Sequence, residues 1–266
     1  MNLNLENGWQ VLPIDGDTGT AYMGINNDER VFLKRNSSPF LAALSIEHIV
    51  PRLIWTKTMV SGDTLTAQEW MNGRCLSKDE MCSEEVTSLL YRVHHSDLLK
   101  KMLLQIGGQV LSPHELLNRY FRGLDPDLRR HPLLKSVANQ LRASQPGLER
   151  SNYEVCHGDL NHKNWLMSDS EKLYLVDWES AVIADPAMDI SMLMCQYVPR
   201  ERWCRWLKQY AKDGLTEDLC ERVEWYSKLY LLLSIKNSRM RGHFHEMNQD
   251  IVRLNEFSNI KLNGKG

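Results

Sequence analysis

The chain has 266 residues, 42% of them hydrophobic and 25% charged, enough for one large domain or two modest lobes around a packed core. A formal net charge of −2 supplies no global field toward nucleic acid or an anionic membrane. Apolar runs such as residues 229–233 fall far short of the roughly 20 residues a bilayer span needs, so neither a nucleic-acid partner nor a membrane span is expected. The opening MNLNLENGWQVLPI has no basic stretch leading into an apolar one, unlike a signal peptide. Six cysteines without a C-x-x-C pair read as reduced thiols, and a cytoplasmic protein is expected.

Residues 9–34 read as three strands, in WQVLPI, AYMGI and VFLK, separated by the turn clusters DGDTGT and NNDER. FLAALSIEHIV carries apolar residues at helical spacing until Pro51 interrupts it. LIWTKTMVSGDTLTAQEWM resumes the strand pattern around an SGD turn. From Ser77 onward the pattern turns helical, with SKDEM and SEEVTSLLYRVHHS giving cap and acidic first-turn signals. One β interruption is clear, where NWLM and KLYLVDW flank the turn SDSEK; helices at about 199–212, 217–238 and 243–258 follow it. The fold class is therefore α+β, with a small antiparallel N-terminal sheet carrying one helix and a larger, mostly helical C-terminal part. The expected division is residues 1–71 and 72–266, with a hinge at about 68–73.

VCHGDLNHKNWLM…LYLVDWE sets an Asn five residues after Asp159 and a second Asp 18 residues after it. Phosphoryl transfer needs a carboxylate to orient the attacking hydroxyl, and oxygen ligands to hold Mg²⁺ against the nucleotide phosphates. Asp159 suits the first task; Asn164 and Asp177 suit the second, because a hairpin between them returns both side chains to a common point.

H-G-D-x-x-x-x-N followed by an apolar run and D-W-E resembles the aminoglycoside phosphotransferase and choline/ethanolamine kinase superfamily, and protein kinases use a related series. AYMG, VFLK, AQEWMNGR and VPRERW are further similar to bacterial cell-cycle regulator kinases of the CcrZ/YtmP type. The resemblance implies the two-lobed protein-kinase-like fold, ATP and Mg²⁺ as cofactors, and a small-molecule hydroxyl acceptor (an amino alcohol, sugar or nucleoside-like compound). It also implies a division-protein partner and recruitment to the division site, and leaves open a mainly scaffolding role. By the same resemblance Asp159 is the catalytic base, His157 orders its loop, and Asn164 and Asp177 bind the metal. Lys34 grips the nucleotide phosphates, with Glu47 as its ion-pair partner. Gly16, Thr18 and Gly19 form a phosphate-cradling turn that departs from G-x-G-x-x-G. Gln68, Glu69 and Trp70 form the adenine hinge, and Asp189 braces the catalytic loop.

From Asp177 the chain reaches Asp189 within 12 residues, too few for the activation segment that docks a polypeptide, which favours a small acceptor. Trp178, Glu179, Asp185 and Tyr197 are its candidate contacts. The adjacent His94 and His95 read as packing, since neighbouring helical residues point in different directions. The aromatic set Trp178, Tyr197, Trp203, Trp206, Trp225 and Tyr226 reads as core before ammonium cage, and VPRERWCRW and RMRGHFH as solvated basic faces.

Overall fold

A computed structural model describes residues 8–14, 21–27, 29–59, 61–212 and 214–259. Its N-terminal part is a five-stranded antiparallel sheet in the order β1-β2-β3-β5-β4. The strands are β1 (Gln10–Pro13), β2 (Ala21–Asn26), β3 (Glu29–Arg35), β4 (Leu53–Thr58) and β5 (Thr64–Glu69). Alternation sets its faces: Val31 and Leu33 of β3 and Leu65 and Ala67 of β5 point inward and form a small core of their own. Lys34, one step beyond Leu33, therefore emerges on the opposite face, paired in register with Thr66.

Helix α1 (Phe40–Ile46) joins β3 to β4. It is shorter than its apolar pattern predicts, because Glu47 closes it and His48 adopts a left-handed backbone with φ 54°. Its buried residues Phe40, Ala43 and Leu44 belong to the large C-terminal core and not to the small sheet core, so α1 is anchored across the two parts of the molecule.

The C-terminal part is mostly helical. Ser83 caps α2 (Glu84–His94), Ser96 caps α3 (Asp97–Gln105), and Ser112 with Glu115 forms a full capping box on α4 (Pro113–Phe121). Short α5 (Pro126–Arg130) and α6 (Pro132–Ala143) lead to β7 (Glu154–Cys156). The predicted hairpin is present as β8 (Trp165–Ser168) and β9 (Leu173–Leu175), and β6 (Gly73–Cys75) adds a third strand to it. β10 (Val182–Ala184) pairs with β7. Each of these additional strands has three residues, too few to show alternation in sequence. Helices α7 (Ala187–Tyr197), α8 (Trp203–Ala211), α9 (Glu217–Arg241) and α10 (Phe244–Asn259) complete the chain. The apolar stripes of α2, α7 and α9 meet in one core containing Leu90, Val93, Ile190, Leu193, Leu232 and Ile235. Trp203, Trp206, Trp225 and Tyr226 are all buried there, as the packing reading expects. All six cysteines are free, and among the described residues no helix is long and apolar enough to cross a membrane.

Candidate active site

Two loops make the site, one following β7 and one following β9. The first runs through His157, Gly158 and Asp159. Gly158 has φ 78°, and a Cβ there would lie 2.6 Å from the Ser180 carbonyl oxygen, so only glycine fits this turn. Asp189, completely buried on the first turn of α7, accepts from the His157 amide at 2.6 Å through Oδ2 and from the Gly158 amide at 3.0 Å through Oδ1. The sequence assigns Asp189 a bracing position, and its contacts have the geometry of a brace.

His157 is buried and held from both ring nitrogens. Its Nδ1 accepts from the Asp159 amide at 3.2 Å and its Nε2 faces the Val176 carbonyl at 2.9 Å. Those partners require the tautomer with the proton on Nε2. Burial pushes the imidazole pKa below its ordinary value, against the pull of Asp189 and the Val176 carbonyl, which keeps Nδ1 free to accept. The ring thus ties the catalytic loop to the strand end that leads into Asp177.

The hairpin brings Asn164 and Asp177 together. Asn164 closes the 3-10 turn before β8, and the Val176 amide donates to its carbonyl at 2.8 Å. Its Nδ2 donates to the Asp159 carbonyl at 2.9 Å and to Asp159 Oδ2 at 3.3 Å, which leaves the carboxamide oxygen as its acceptor. Asp177 takes a left-handed backbone, φ 65° and ψ 64°, an uncommon state for a non-glycine residue that concentrates at functional sites. With the carboxamide oxygen and the two carboxylates, the donor set is all oxygen and suits a hard divalent cation such as Mg²⁺.

Lys34 reaches this point from β3. Its Nζ lies 2.8 Å from Glu179 Oε1 and 3.4 Å from Asp177 Oδ1. Burial lowers the ammonium pKa, but the Glu179 and Asp177 interactions outweigh it and hold the group above its usual value. Glu47 is not its partner here: it sits at the C-terminus of α1, where its carboxylate accepts from the Ser96 hydroxyl at 2.9 Å and its carbonyl accepts from Arg92. The early end of α1 turns Glu47 toward α2 and α3.

Several other expected positions have different surroundings. The Trp178 ring packs edge-on to Phe40 at 5.8 Å and to His157 at 4.7 Å, with Nε1 donating to the Leu175 carbonyl at 2.7 Å; it is a wedge between α1 and the loop that carries Asp159. Asp185 is fully buried, its Oδ1 shared between Arg222 and the Ala187 amide, and burial raises its pKa despite that guanidinium. It anchors the start of α7 to α9. The Tyr197 hydroxyl accepts from the His162 amide at 2.9 Å, behind the catalytic loop. Gln68 spends its side-chain amide on the Pro51 carbonyl at 2.8 Å, the Glu69 amide donates to the Arg52 carbonyl at 2.8 Å, and the Trp70 indole donates to Asn72 Oδ1. The Glu69 amide and the Gln68 carboxamide are thus both engaged within the chain. Gly16, Thr18 and Gly19 lie outside the described residues.

Asp159 and Glu179 open onto a cleft of about 990 Å³, walled on the far side by Gln196, Tyr230, Asn237 and Arg241, a size typical of small-molecule sites. A contact without a local sequence signal joins the site to the core. His94 is buried on α2, with Nε2 at 3.3 Å from Asp189 Oδ2 and Nδ1 at 2.8 Å from the Tyr210 hydroxyl. It is packed, as expected, but it also has the carboxylate partner that its neighbourhood in sequence lacks.

A five-stranded sheet with one cross-anchored helix, set on a helical part that carries the H-G-D loop and the hairpin, is the protein-kinase-like fold of a phosphotransferase. The chain belongs to the phosphotransferase enzyme family APH, which matches residues 28–226. It is 25% identical over 227 residues to Protein LicA of Haemophilus influenzae, covering 82% of this chain and 74% of that one. Its fold is similar to that of choline kinase LicA from Streptococcus pneumoniae, with a TM-score of 0.64 at 16% identity over 93% of both chains. It is similar as well to the GDP complex of wild-type aminoglycoside 2'-phosphotransferase-IIIa, with a TM-score of 0.61 at 14% identity over 96% of this chain and 95% of that one.

Proposed function

We propose that this protein is an ATP- and Mg²⁺-dependent kinase that moves the γ-phosphoryl group to a hydroxyl of a small molecule, an amino alcohol, sugar or nucleoside-like compound. The observation that carries the reading is that Lys34 lies 3.4 Å from Asp177, while Asn164, hydrogen-bonded to the residue before Asp177, also donates to Asp159 on the wall of the cleft. Asp159 orients the acceptor hydroxyl and takes its proton as the new oxygen–phosphorus bond forms and the bond from the γ-phosphorus to the β–γ bridging oxygen breaks, ADP carrying away that oxygen and its electron pair. Lys34 exchanges its carboxylate partners for a phosphate oxygen. Asn164 and Asp177 would hold Mg²⁺, which when bound neutralises charge on the nucleotide phosphates. His157, fixed by Asp189 and the Val176 carbonyl, keeps Asp159 in register. The GDP complex of a protein with a similar fold supports nucleotide binding. Pairing of β6 with β8 supports a lobe boundary near residue 72, with residues 68–73 as hinge.

The acceptor end is polar, with Gln196, Ser234, Asn237 and Arg241 on its wall, groups that hydrogen-bond a hydroxylated compound. An ADP-release screen of the purified protein with Mg²⁺-ATP against choline, ethanolamine, sugars, nucleosides and aminoglycosides tests the proposal, with Asp159→Ala as the blank. Acceptor-dependent ADP release that persists undiminished in Asp159→Ala refutes it. The likeness of AYMG, VFLK and AQEWMNGR to cell-cycle regulator kinases supports a role in division control through a division-protein partner. Rescue of a deletion strain by the Asp159→Ala variant identifies that role as scaffolding; failure of rescue identifies it as catalytic.

A further inference from the structure

A second cavity, of about 540 Å³, lies beside the first and shares Gln196 with it. Its walls include the apolar side chains of Met194, Val198 and Leu231, and its charged members are Arg200, Arg253 and Glu256. The guanidinium of Arg200 packs against two aromatic rings that touch each other, its Cζ 4.1 Å from the Trp203 centroid and 4.2 Å from the Phe257 centroid, with those centroids 5.0 Å apart. Cation–π contact uses the π-facing side of a guanidinium and leaves its N–H groups needing an acceptor. Among the described residues no acceptor is present: Nη1 and Nη2 are both buried without a hydrogen-bond partner.

A buried ionised donor without an acceptor is costly, and folded proteins rarely retain one without a use. Burial lowers the Arg200 pKa, with the charge of Glu224 opposing it, yet a guanidinium stays protonated at any physiological pH. The nearby carboxylates do not supply the bond. Glu224 is held by Lys228 at 2.9 Å, and Asp250, which pairs with Arg253 at 3.4 Å, accepts from Ser234 at 2.6 Å. None of these described carboxylates supplies the missing acceptor.

We propose that this cavity binds a small organic anion whose carboxylate or phosphate group takes the Nη edge of Arg200 while its apolar body lies against Met194, Val198 and Leu231. Rotation of Phe257, half-buried on the last turn of α10, gives the anion access to that edge. Planar bidentate recognition is what an arginine fork provides and a lysine does not. The cavity volume falls within the range of small-molecule sites, which favours a free anion over a segment of another protein.

Calorimetric titration of the full chain with benzoate, phenyl phosphate and neutral benzyl alcohol tests this, in the wild type, Arg200→Met, Arg200→Lys and Lys34→Met. Both anions are expected to bind the wild type and Lys34→Met alike, and Arg200→Met at least about tenfold more weakly; benzyl alcohol is expected to give no measurable heat. The Lys34→Met arm separates this cavity from the phosphate site of the cleft. Absence of binding to the wild type by either anion overturns the proposal, as does binding that survives Arg200→Met, that is lost with Lys34→Met, or that benzyl alcohol matches. Should Arg200→Met lose its circular-dichroism spectrum, Arg200→Lys decides, because it keeps the charge and removes the fork: unchanged anion affinity there also overturns the proposal.

Discussion

Replacing Asp189 by Asn keeps the size of the side chain and removes the property that the catalytic loop uses. Both carboxylate oxygens accept from backbone amides, His157 on Oδ2 and Gly158 on Oδ1, and His94 adds a third donor to Oδ2. Whichever way the carboxamide is turned, its NH₂ faces a backbone N–H, so one charge-assisted bond is lost and one buried amide is left unpaired. The first loss costs about 1.5–3 kcal/mol and the second about 1–3 kcal/mol, together roughly 3–5 kcal/mol out of a typical total of about 5–15 kcal/mol. For a chain of this size each kcal/mol moves the melting temperature by about 2–4 °C, so thermal unfolding is expected about 10 °C lower. A loop displaced by about 1 Å costs on the order of 10²-fold in rate, so kcat is expected to fall by that order with little change in KM for ATP. Differential scanning fluorimetry and steady-state ADP release read the two effects. A melting temperature within about 2 °C of wild type together with an unchanged kcat refutes the bracing role.

Asp159→Ala is expected to lower kcat by about 10²–10⁴-fold, the usual range for a general base, while calorimetry shows nucleotide affinity nearly intact. Gly158→Ala places a Cβ 2.6 Å from the Ser180 carbonyl oxygen at φ 78°; it is expected to destabilise the chain by about 1–3 kcal/mol in urea unfolding and to lose most activity, and wild-type behaviour in both assays contradicts the close approach. The His157 pKa is depressed in the folded state, so the folded chain binds fewer protons than the unfolded one below the ordinary value of 6.5. Stability from this residue is thus present above that value and lost as pH falls. Protonation also removes the Nδ1 acceptor of the Asp159 amide, so an acid limb in kcat is expected below that pH, and its absence in a pH–rate profile counts against the tautomer assigned here. Trp178→Ala removes the wedge between Phe40 and His157 and is expected to cost about 1–3 kcal/mol, less than a fully buried indole, in the same unfolding assay.

The sheet, the hairpin and the approach of Asn164 to Asp177 were legible because each is set by a local rule. Alternation in VFLK puts Lys34 on the face opposite Leu33, and the SDSEK turn folds Asn164 back to Asp177. What was not legible depends on partners distant in sequence. His94 and Asp189 are 95 positions apart, Asp185 and Arg222 are 37 apart, and no spacing rule links members of such pairs. The direction of Trp178 follows from the left-handed backbone at Asp177, a state that residue type alone does not indicate for aspartate. Glu47 reads differently for a third reason: its helix ends at Ile46, and the loop beyond carries its carboxylate to Ser96.

Burial separates the contacts that must persist from those that must exchange. Asp189 is 0% exposed, and severing its bonds costs several kcal/mol, so the catalytic loop stays in one geometry. Lys34, Asp177 and Glu179 have side-chain exposures of 24%, 51% and 61%, and ion pairs this open to water are worth about 0–1 kcal/mol. Surrendering them to a phosphate group therefore costs little, while the ammonium remains charged and aimed at the same point. On the proposed function, the clasp between β3 and the segment after β9 is a placeholder that compensates the charge of Lys34 until a phosphate group takes its place. A Glu179→Gln substitution removes the shorter pair at 2.8 Å and leaves Asp177 in place. If the pair competes with phosphate, KM for ATP falls by no more than about fivefold, the limit set by 1 kcal/mol, with kcat preserved. A rise in KM instead assigns Glu179 to holding Lys34 in its working position.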